Sequence, residues 1–320
     1  MGLQAFHRGD ESLAVRAAWL HYAGGLTQAS VAKRLGIPGV KAHRLIARAA
    51  QSGIVKVTID GEIAECAALE ARLSSAYGLS YCEVVPDLDE AGLPLRALGQ
   101  AGAAFLRREI EGGASPVIGV GHGRTLAAAL DAMPRVAARE VRFVSLLGGL
   151  TRSFAANPHD VMHRLARRTG GEAFFMPVPF LANNAADRDV LLAQHGIRDV
   201  FALAARSDLK VVGIGTAQAD ASLVGAGMIG QREMTDLRDA GAVGEILGHF
   251  FDAVGTPVET ELTTRTISVG LDALDGTRVI ALAGGPGKAE AIRSVLASGR
   301  IDGLITDERS ATALIEAPPG

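Results

Sequence analysis

The sequence predicts an α/β protein in two parts: an N-terminal helix-turn-helix domain of winged type, then a mostly parallel, doubly wound α/β domain. Three observations carry this. Residues 26–59 read as helix, glycine turn, helix and short strand. From residue 81 onward, short apolar runs alternate with amphipathic segments, as strands and helices do around a sheet covered on both faces. The charge also changes sign along the chain. Residues 1–60 hold eight Lys or Arg and three acids, so 8 − 3 = +5; the whole chain is −3, leaving −3 − 5 = −8 for residues 61–320.

Taken in order, residues 11–23 form a first helix with Leu13, Ala17 and Leu20 on one face. Trp19 is assigned to the core, since a large aromatic in a small domain is usually structural. Thr27 can cap the next helix. Leu26, Val31, Ala32 and Leu35 give that helix an apolar face. Gly36 suits the left-handed position that ends a helix, and Pro38 suits a helix start. In the following helix Val40, Leu45, Ala49 and Ala50 offer an apolar side, with Lys41, His43, Arg44 and Arg48 largely on the other. Residues 54–59 alternate enough for a strand, a short wing. This is the helix-turn-helix layout, whose second helix enters the major groove. A basic head on an acidic body is what phosphate neutralisation by one end requires. A helical hairpin with a solvated basic face is the plainer reading, and the charge asymmetry argues against it. The partner is then double-stranded operator DNA, with Thr27, Gln28, Lys33, Arg34, Lys41, His43, Arg44 and Arg48 as candidate contacts.

The expected domains are 1–60 (DNA binding), 61–80 (a linker helix) and 81–320 (effector binding). Residues 62–77 are helical, with a seam of Ile63, Cys66, Leu69 and Leu73. That seam serves either as a dimer contact or as packing on the large domain. Two DNA half-sites call for a homodimer or homotetramer. Further strands are expected at 82–85, 117–120, 141–147, 173–178, 211–214, 279–283 and 304–306. Helices are expected near 95–111, 124–132, 158–169, 185–193, 197–205, 287–298 and 308–315.

Composition excludes several classes. Hydrophobic residues at 48% and charged residues at 21% suit buried cores rather than a disordered chain. The two cysteines form no Cys-x-x-Cys pair, so neither a zinc ribbon nor a thioredoxin motif follows. Two free thiols, no signal-peptide h-region and no long apolar run imply a cytoplasmic protein without a membrane partner. His159-Asp-Val-Met-His163 has the spacing of a zinc motif, but its acid is the shorter Asp and no third ligand is indicated. No Gly-x-Ser-x-Gly elbow or catalytic Cys signature occurs. No metal, cofactor or catalytic residue is expected.

Ligands of doubly wound sheets bind at the carboxyl ends of strands, so the glycine-rich turns there are the places to look. The turn at 119–125 reads equally as a ligand cradle or as a plain tight turn. Its candidates are Gly121, His122, Gly123, Arg124 and Thr125. It lacks the third glycine of a dinucleotide fingerprint and the Gly-Lys-Ser/Thr of a P-loop. Lys288 follows a glycine run at 284–287 near a helix start, where a cation opposes the helix dipole; alone it reads more readily as an exposed lysine. Glu245, between glycines and an apolar run, reads as a helix cap or as a partner of sugar hydroxyls, and composition favours the cap.

Together the segments LTQASVAKRLGIPGVKAHRLIARA, GVGHGRTL (119–126), GAVGEILGHFFD (241–252) and VIALAGGPGKAEAIRSVLASGRIDGLITDERSATALI (279–315) resemble the SorC family of sugar-responsive bacterial transcription regulators, over nearly the whole length. The segment KAHRLIARAAQSGIVKVTIDGEIAECAALE is similar to the branch controlling erythritol or related polyol catabolism. The resemblance implies a DNA-binding head on an effector domain folded like sugar-phosphate isomerases, binding a sugar, polyol or its phosphate without turnover. It places effector contacts at 121–125, Glu245 and Lys288, with Asp307 at another strand end. It departs from the family at His122, where a tryptophan or small residue is common. It departs again at Leu147, which precedes Gly148-Gly149 where an arginine can stand, and this disfavours a doubly phosphorylated ligand. The expected function is repression of a sugar or polyol operon. The alternative is a sugar-phosphate isomerase with an accessory helical head.

Overall fold

The structure is a computed structural model that describes residues 12–52, 54–55, 63–138, 140–149 and 161–317. The chain divides into two compact units, Met1–Gly61 and Glu62–Gly320.

In the first unit, α1 (12–18) runs into a π-helical turn, Trp19–Ala23, and is followed by α2 (Gln28–Leu35) and α3 (Gly39–Gln51). Thr27 caps α2 by accepting from the Ser30 N–H at 3.2 Å. Gly36 ends it at φ +63°, the left-handed conformation that costs glycine little. Three residues, Gly36, Ile37 and Pro38, then join α2 to α3. The core is small and rich in alanine: Ala14, Ala17, Ala18 and Leu20 of the first helix meet Val31, Ala32, Ala42, Leu45, Ile46 and Ala49. These alanines let the helices approach closely and leave no space for an indole. Trp19, expected in the core, is instead 64% exposed, and Val40 and Ala50, expected on the apolar side of α3, are also exposed; Ala42, Leu45, Ile46 and Ala49 form its buried face. The predicted wing at 54–59 lies mostly outside the described residues. Ile54 and Val55 are not in a strand; their N–H groups reach back to Ala49 O at the end of α3.

The second unit opens with α4 (Ile63–Tyr77), which packs on β1 (Tyr81–Val85) and on α14 (Glu308–Glu316). Glu70 of α4 accepts from the Val84 N–H at 2.9 Å, so the helix occupies a donor of this edge strand. The chain continues as α5 (Leu95–Gly112), β2 (Val117–Val120), α6 (Arg124–Ala132), β3 (Arg142–Ser145), α7 (Val161–Thr169), β4 (Glu172–Phe174), α8 (Ala185–Ala193), α9 (Ile197–Ala205) and β5 (Leu209–Val212). After an inserted region come β10 (Arg278–Leu282), α13 (Ala289–Ala297), β11 (Gly303–Asp307) and α14. Seven parallel strands form one sheet in the order β1-β11-β10-β5-β2-β3-β4.

Helices cover both faces. Phe105, Leu126, Leu130 and Leu165, from α5, α6 and α7, pack on one face with Ile118, Phe143, Val211 and Ile280. Leu73, Ala204, Ile292, Val295 and Leu314, from α4, α9, α13 and α14, pack on the other with Val144, Val212, Val279 and Leu304. The doubly wound expectation is met.

Two strand expectations need correction. The run 173–178 pairs with β3 only as far as Phe174, although Met176 and Val178 are buried. Pro177 and Pro179 lack N–H donors, so the chain leaves the ladder at this edge. The strand expected at 141–147 ends at Ser145, with Leu147 making one isolated bridge to Ser268.

The region 215–276 carries a second sheet that the sequence did not suggest. It is antiparallel: β6 (Gly215–Thr216), β7 (Gly244–Ile246), β8 (His249–Phe251) and β9 (Pro257–Val258). Its strands are two or three residues long, too short to show a period of two. The helices α10 (Ser222–Gly225), α11 (Gln231–Asp239) and α12 (Glu261–Thr264) lie in the same region. Among the described residues no helix is long and apolar enough to cross a membrane.

Candidate functional site

Strand order decides where a ligand fits. β2 is followed by β3 and β4 on one side, β5 by β10 and β11 on the other, so the order reverses between the neighbours β2 and β5. The crevice beyond the carboxyl ends of such a pair is where open α/β sheets bind ligands.

The turn after β2 enters this crevice. The Gly121 N–H donates to Val211 O of β5 at 2.9 Å, holding the turn to its neighbour. Gly123 has φ +137° and caps α6 without a side chain. The first-turn N–H groups of α6 thus receive no side-chain cap from Gly123, an arrangement suited to ligand oxygens. Thr125 is buried and its hydroxyl donates to Leu282 O at 2.9 Å, tying α6 to β10. Arg124 is exposed and donates to Ser222 Oγ at 3.0 Å. His122 is half-buried, its Nε2 3.5 Å from Ser145 Oγ.

Lys288 arrives from the opposite side of the crevice. It caps α13 with its backbone, and its Nζ donates to Ile214 O, in the turn after β5, at 2.7 Å. Burial lowers its pKa; the nearby Arg124 charge acts in the same sense and Glu245 against it.

Glu245 comes from the inserted sheet. Register places it opposite Gly215, where a Cβ would overlap Glu245 Oε2. Its Oε1 accepts from the Gly248 N–H at 2.6 Å. Burial pushes the carboxyl up to about 7, while the Gly248 bond and the Lys288 charge pull it down. A carboxyl at this pKa can accept from a hydroxyl or donate to one. The hairpin that carries it turns through Leu247 at φ +53° and Gly248 at φ +83°, both left-handed. Two such residues define the tight turn that matches strand twist. Leu247, uncommon in this conformation for a non-glycine residue, packs against Gly121.

The structure thus brings the 121–125 turn, Glu245 and Lys288 to one crevice. Asp307 is used differently. Its Oδ1 accepts from Ser310 N at 3.0 Å, and its Oδ2 from Gly285 N at 2.8 Å and Ser310 Oγ at 2.6 Å. It therefore shapes the 284–287 turn and caps α14. Sequence reading missed Ser222, the Ile214 carbonyl, the Gly248 N–H and Leu247. Ile214 carried a signal, since it sits in a glycine-flanked turn, and Leu247 and Gly248 lie inside the 241–252 segment; Ser222 carried none.

In the first unit, Gln28, Lys33, Arg34, His43, Arg44 and Arg48 are exposed and Lys41 is half-buried. Thr27 is the α2 cap. His159 and Asp160 lie outside the described residues, and the His163 ring packs on Phe175 with centroids 4.7 Å apart. Among the described residues no group of three or more His, Cys, Asp or Glu could hold a metal ion.

Comparison with known proteins gives this geometry its context. The family model described as "Putative sugar-binding domain" matches residues 61–316. The erythritol catabolism regulatory protein EryD of Brucella abortus is 62% identical over 97% of this chain and 98% of its own. The transcriptional regulator LsrR of Klebsiella pneumoniae is 33% identical over 96% of this chain and 93% of its own. Among solved structures, the full-length sorbitol operon regulator SorC of Klebsiella pneumoniae superposes with a TM-score of 0.76 at 27% identity, covering 95% of this chain and 98% of that one. These relatives are transcription regulators, so the matches define a transcription regulator with a sugar-binding domain and do not favour the isomerase alternative. The chain belongs to the SorC family of sugar-responsive transcription regulators.

Proposed function

We propose that the protein is a cytoplasmic repressor of a sugar or polyol catabolic operon. Residues 1–60 bind double-stranded operator DNA through α3, with Lys41, His43, Arg44 and Arg48 on or beside its outer face and Thr27, Gln28, Lys33 and Arg34 contacting from α2. Residues 81–320 take a small polyhydroxylated effector between the 121–125 turn, Glu245 and Lys288, and residues 61–80 link the two. Asp307 acts by holding the 284–287 turn. The chain works as a homodimer or homotetramer, matching paired half-sites.

One observation carries the effector half of this reading. Three segments distant in sequence deliver a neutral-range carboxyl, an ammonium and uncapped helix N–H groups to the switch-point crevice. That set suits hydroxyl groups, and Arg124 leaves room for a single phosphate. The name of the Brucella relative makes erythritol and its phosphate the first ligands to test. Effector control requires different ligand affinity in the DNA-competent and DNA-incompetent states.

Calorimetric titration of erythritol, erythritol phosphate and common pentitols into wild type, Glu245→Gln and Lys288→Ala tests the site. Losing one hydrogen bond to a charged group costs ~1.5–3 kcal/mol, more than tenfold in affinity. Equal binding by wild type and both variants would place the effector elsewhere. Binding only by a ligand that is not polyhydroxylated would remove the polyol assignment.

A further inference from the structure

Val40 is 83% exposed, the most exposed large apolar side chain among the described residues. Single apolar residues on a surface need no explanation, so its position has to supply one. It lies in the first turn of α3. In a helix-turn-helix the N-terminal residues of the second helix contact base edges.

The helix itself fixes the orientation. Ala42, Leu45, Ile46 and Ala49 recur at i, i+3, i+4 and i+7 and are all buried. Val40, His43, Arg44 and Ala47 recur at the same spacing on the opposite face, with His43 and Arg44 exposed and Ala47 half-buried. Lys41 and Arg48 lie along one border of that outer stripe. Border cations are placed for phosphates, whereas the centre of the stripe faces the groove floor. The centre therefore carries an apolar group, an imidazole and a guanidinium.

The major groove holds one apolar feature, the C5-methyl group of thymine. We propose that Val40 reads a thymine methyl in each operator half-site, beside the base or phosphate taken by Arg44. Charge complementarity between the basic α3 and DNA selects this occupant over a protein surface. The inference rests on α3 being the recognition helix, as proposed above.

The test uses the full-length protein and a duplex that it selects from a random-sequence library. Uracil replaces thymine at each half-site position in turn, removing one methyl group and nothing else. At one position per half-site, affinity should fall about fourfold, the ratio that corresponds to ~0.8 kcal/mol for one buried methyl(ene). Val40→Ala should bind the thymine and uracil duplexes alike, because both γ-methyl groups that reach the thymine methyl are gone. The substitution removes no core contact, so folding is not at issue. If no uracil position costs wild type affinity, or if the uracil effect persists in Val40→Ala, the proposal fails. Equal loss for both duplexes in Val40→Ala would put Val40 against sugar-phosphate or protein and would also overturn it. Arg44→Ala separates this failure from that of its premise. Unchanged affinity there removes α3 from recognition altogether; a loss there with no methyl effect removes Val40 alone.

Discussion

The two units place function in opposite settings. In the first, the candidate groups stand on the outside of one helix, over a core built largely of alanines. In the second, Glu245 is buried and Lys288 half-buried at a crevice between strands, and desolvation shifts the pKa of both. On the proposed function, one unit presents charge to a large polyanion that comes to it, and the other removes charge from water and holds it for a small ligand. Substitutions should therefore act through packing and affinity in the first unit, and through pH and desolvation in the second.

The largest expected effect tests the core of the small unit. Leu45 is 2% exposed on the inner face of α3. Leu45→Ala should cost ~2–5 kcal/mol, since a truncated leucine leaves a cavity. Operator binding by gel shift should be lost while polyol binding by calorimetry persists. Simultaneous loss of both would show that the two units do not divide the work.

Next comes Glu245. Its folded pKa of about 7 lies above the ordinary 4.5, so the folded state holds a proton that the unfolded chain releases. Stability then falls as pH rises through that window, by an amount on the order of 3 kcal/mol. Glu245→Gln keeps the shape and the acceptor for Gly248 N–H but cannot ionise. Urea denaturation should show the variant more stable than wild type at pH 8, with the gap closing toward pH 4.5. A gap that does not change with pH would mean that Glu245 ionises freely in the crevice.

Arg44→Ala should weaken operator binding by ~1–3 kcal/mol if the guanidinium reads a base. Lys41→Ala should weaken binding to all sequences alike and reduce the salt dependence. Affinity unchanged in both variants would contradict the assignment of α3. The smallest effect is at Thr27, whose hydroxyl caps α2: Thr27→Ala should lower the stability of the first unit by ~1 kcal/mol, read as an earlier thermal transition. No change would make the Ser30 contact incidental.

The same contrast explains what was legible in the sequence. The helix pair of the first unit is local: Thr27, Gly36, the apolar spacing and the basic face all lie within one short stretch. Trp19 misled because hydrophobicity gives no information on which face an alanine-cored helix turns inward. The parallel sheet was legible because its strands carry short apolar runs, such as Val117–Val120 and 279–282. The antiparallel sheet was not, because strands as short as Gly215–Thr216 are defined by pairing with distant residues. The site was legible in part. Glycine-rich turns and Lys288 could be marked, but their convergence depends on β2 and β5 being neighbours, which only the topology reveals. Composition favoured a helix cap for Glu245, whereas it lies in a strand with its carboxyl on a hairpin N–H. Asp307 matched the family pattern, yet its carboxylate holds its own turn.

On the proposed function, a polyhydroxylated ligand at Glu245 and Lys288 controls DNA binding. The most direct measurement titrates erythritol, then erythritol phosphate, into a complex of the full-length protein with its selected duplex, followed by fluorescence anisotropy. One of the two should release DNA from wild type, and Glu245→Gln, bound equally well without ligand, should need more than tenfold more of it, as loss of one charge-assisted hydrogen bond requires. Release of wild type and variant at the same ligand concentration, or release of neither by any polyol or polyol phosphate, would contradict the account.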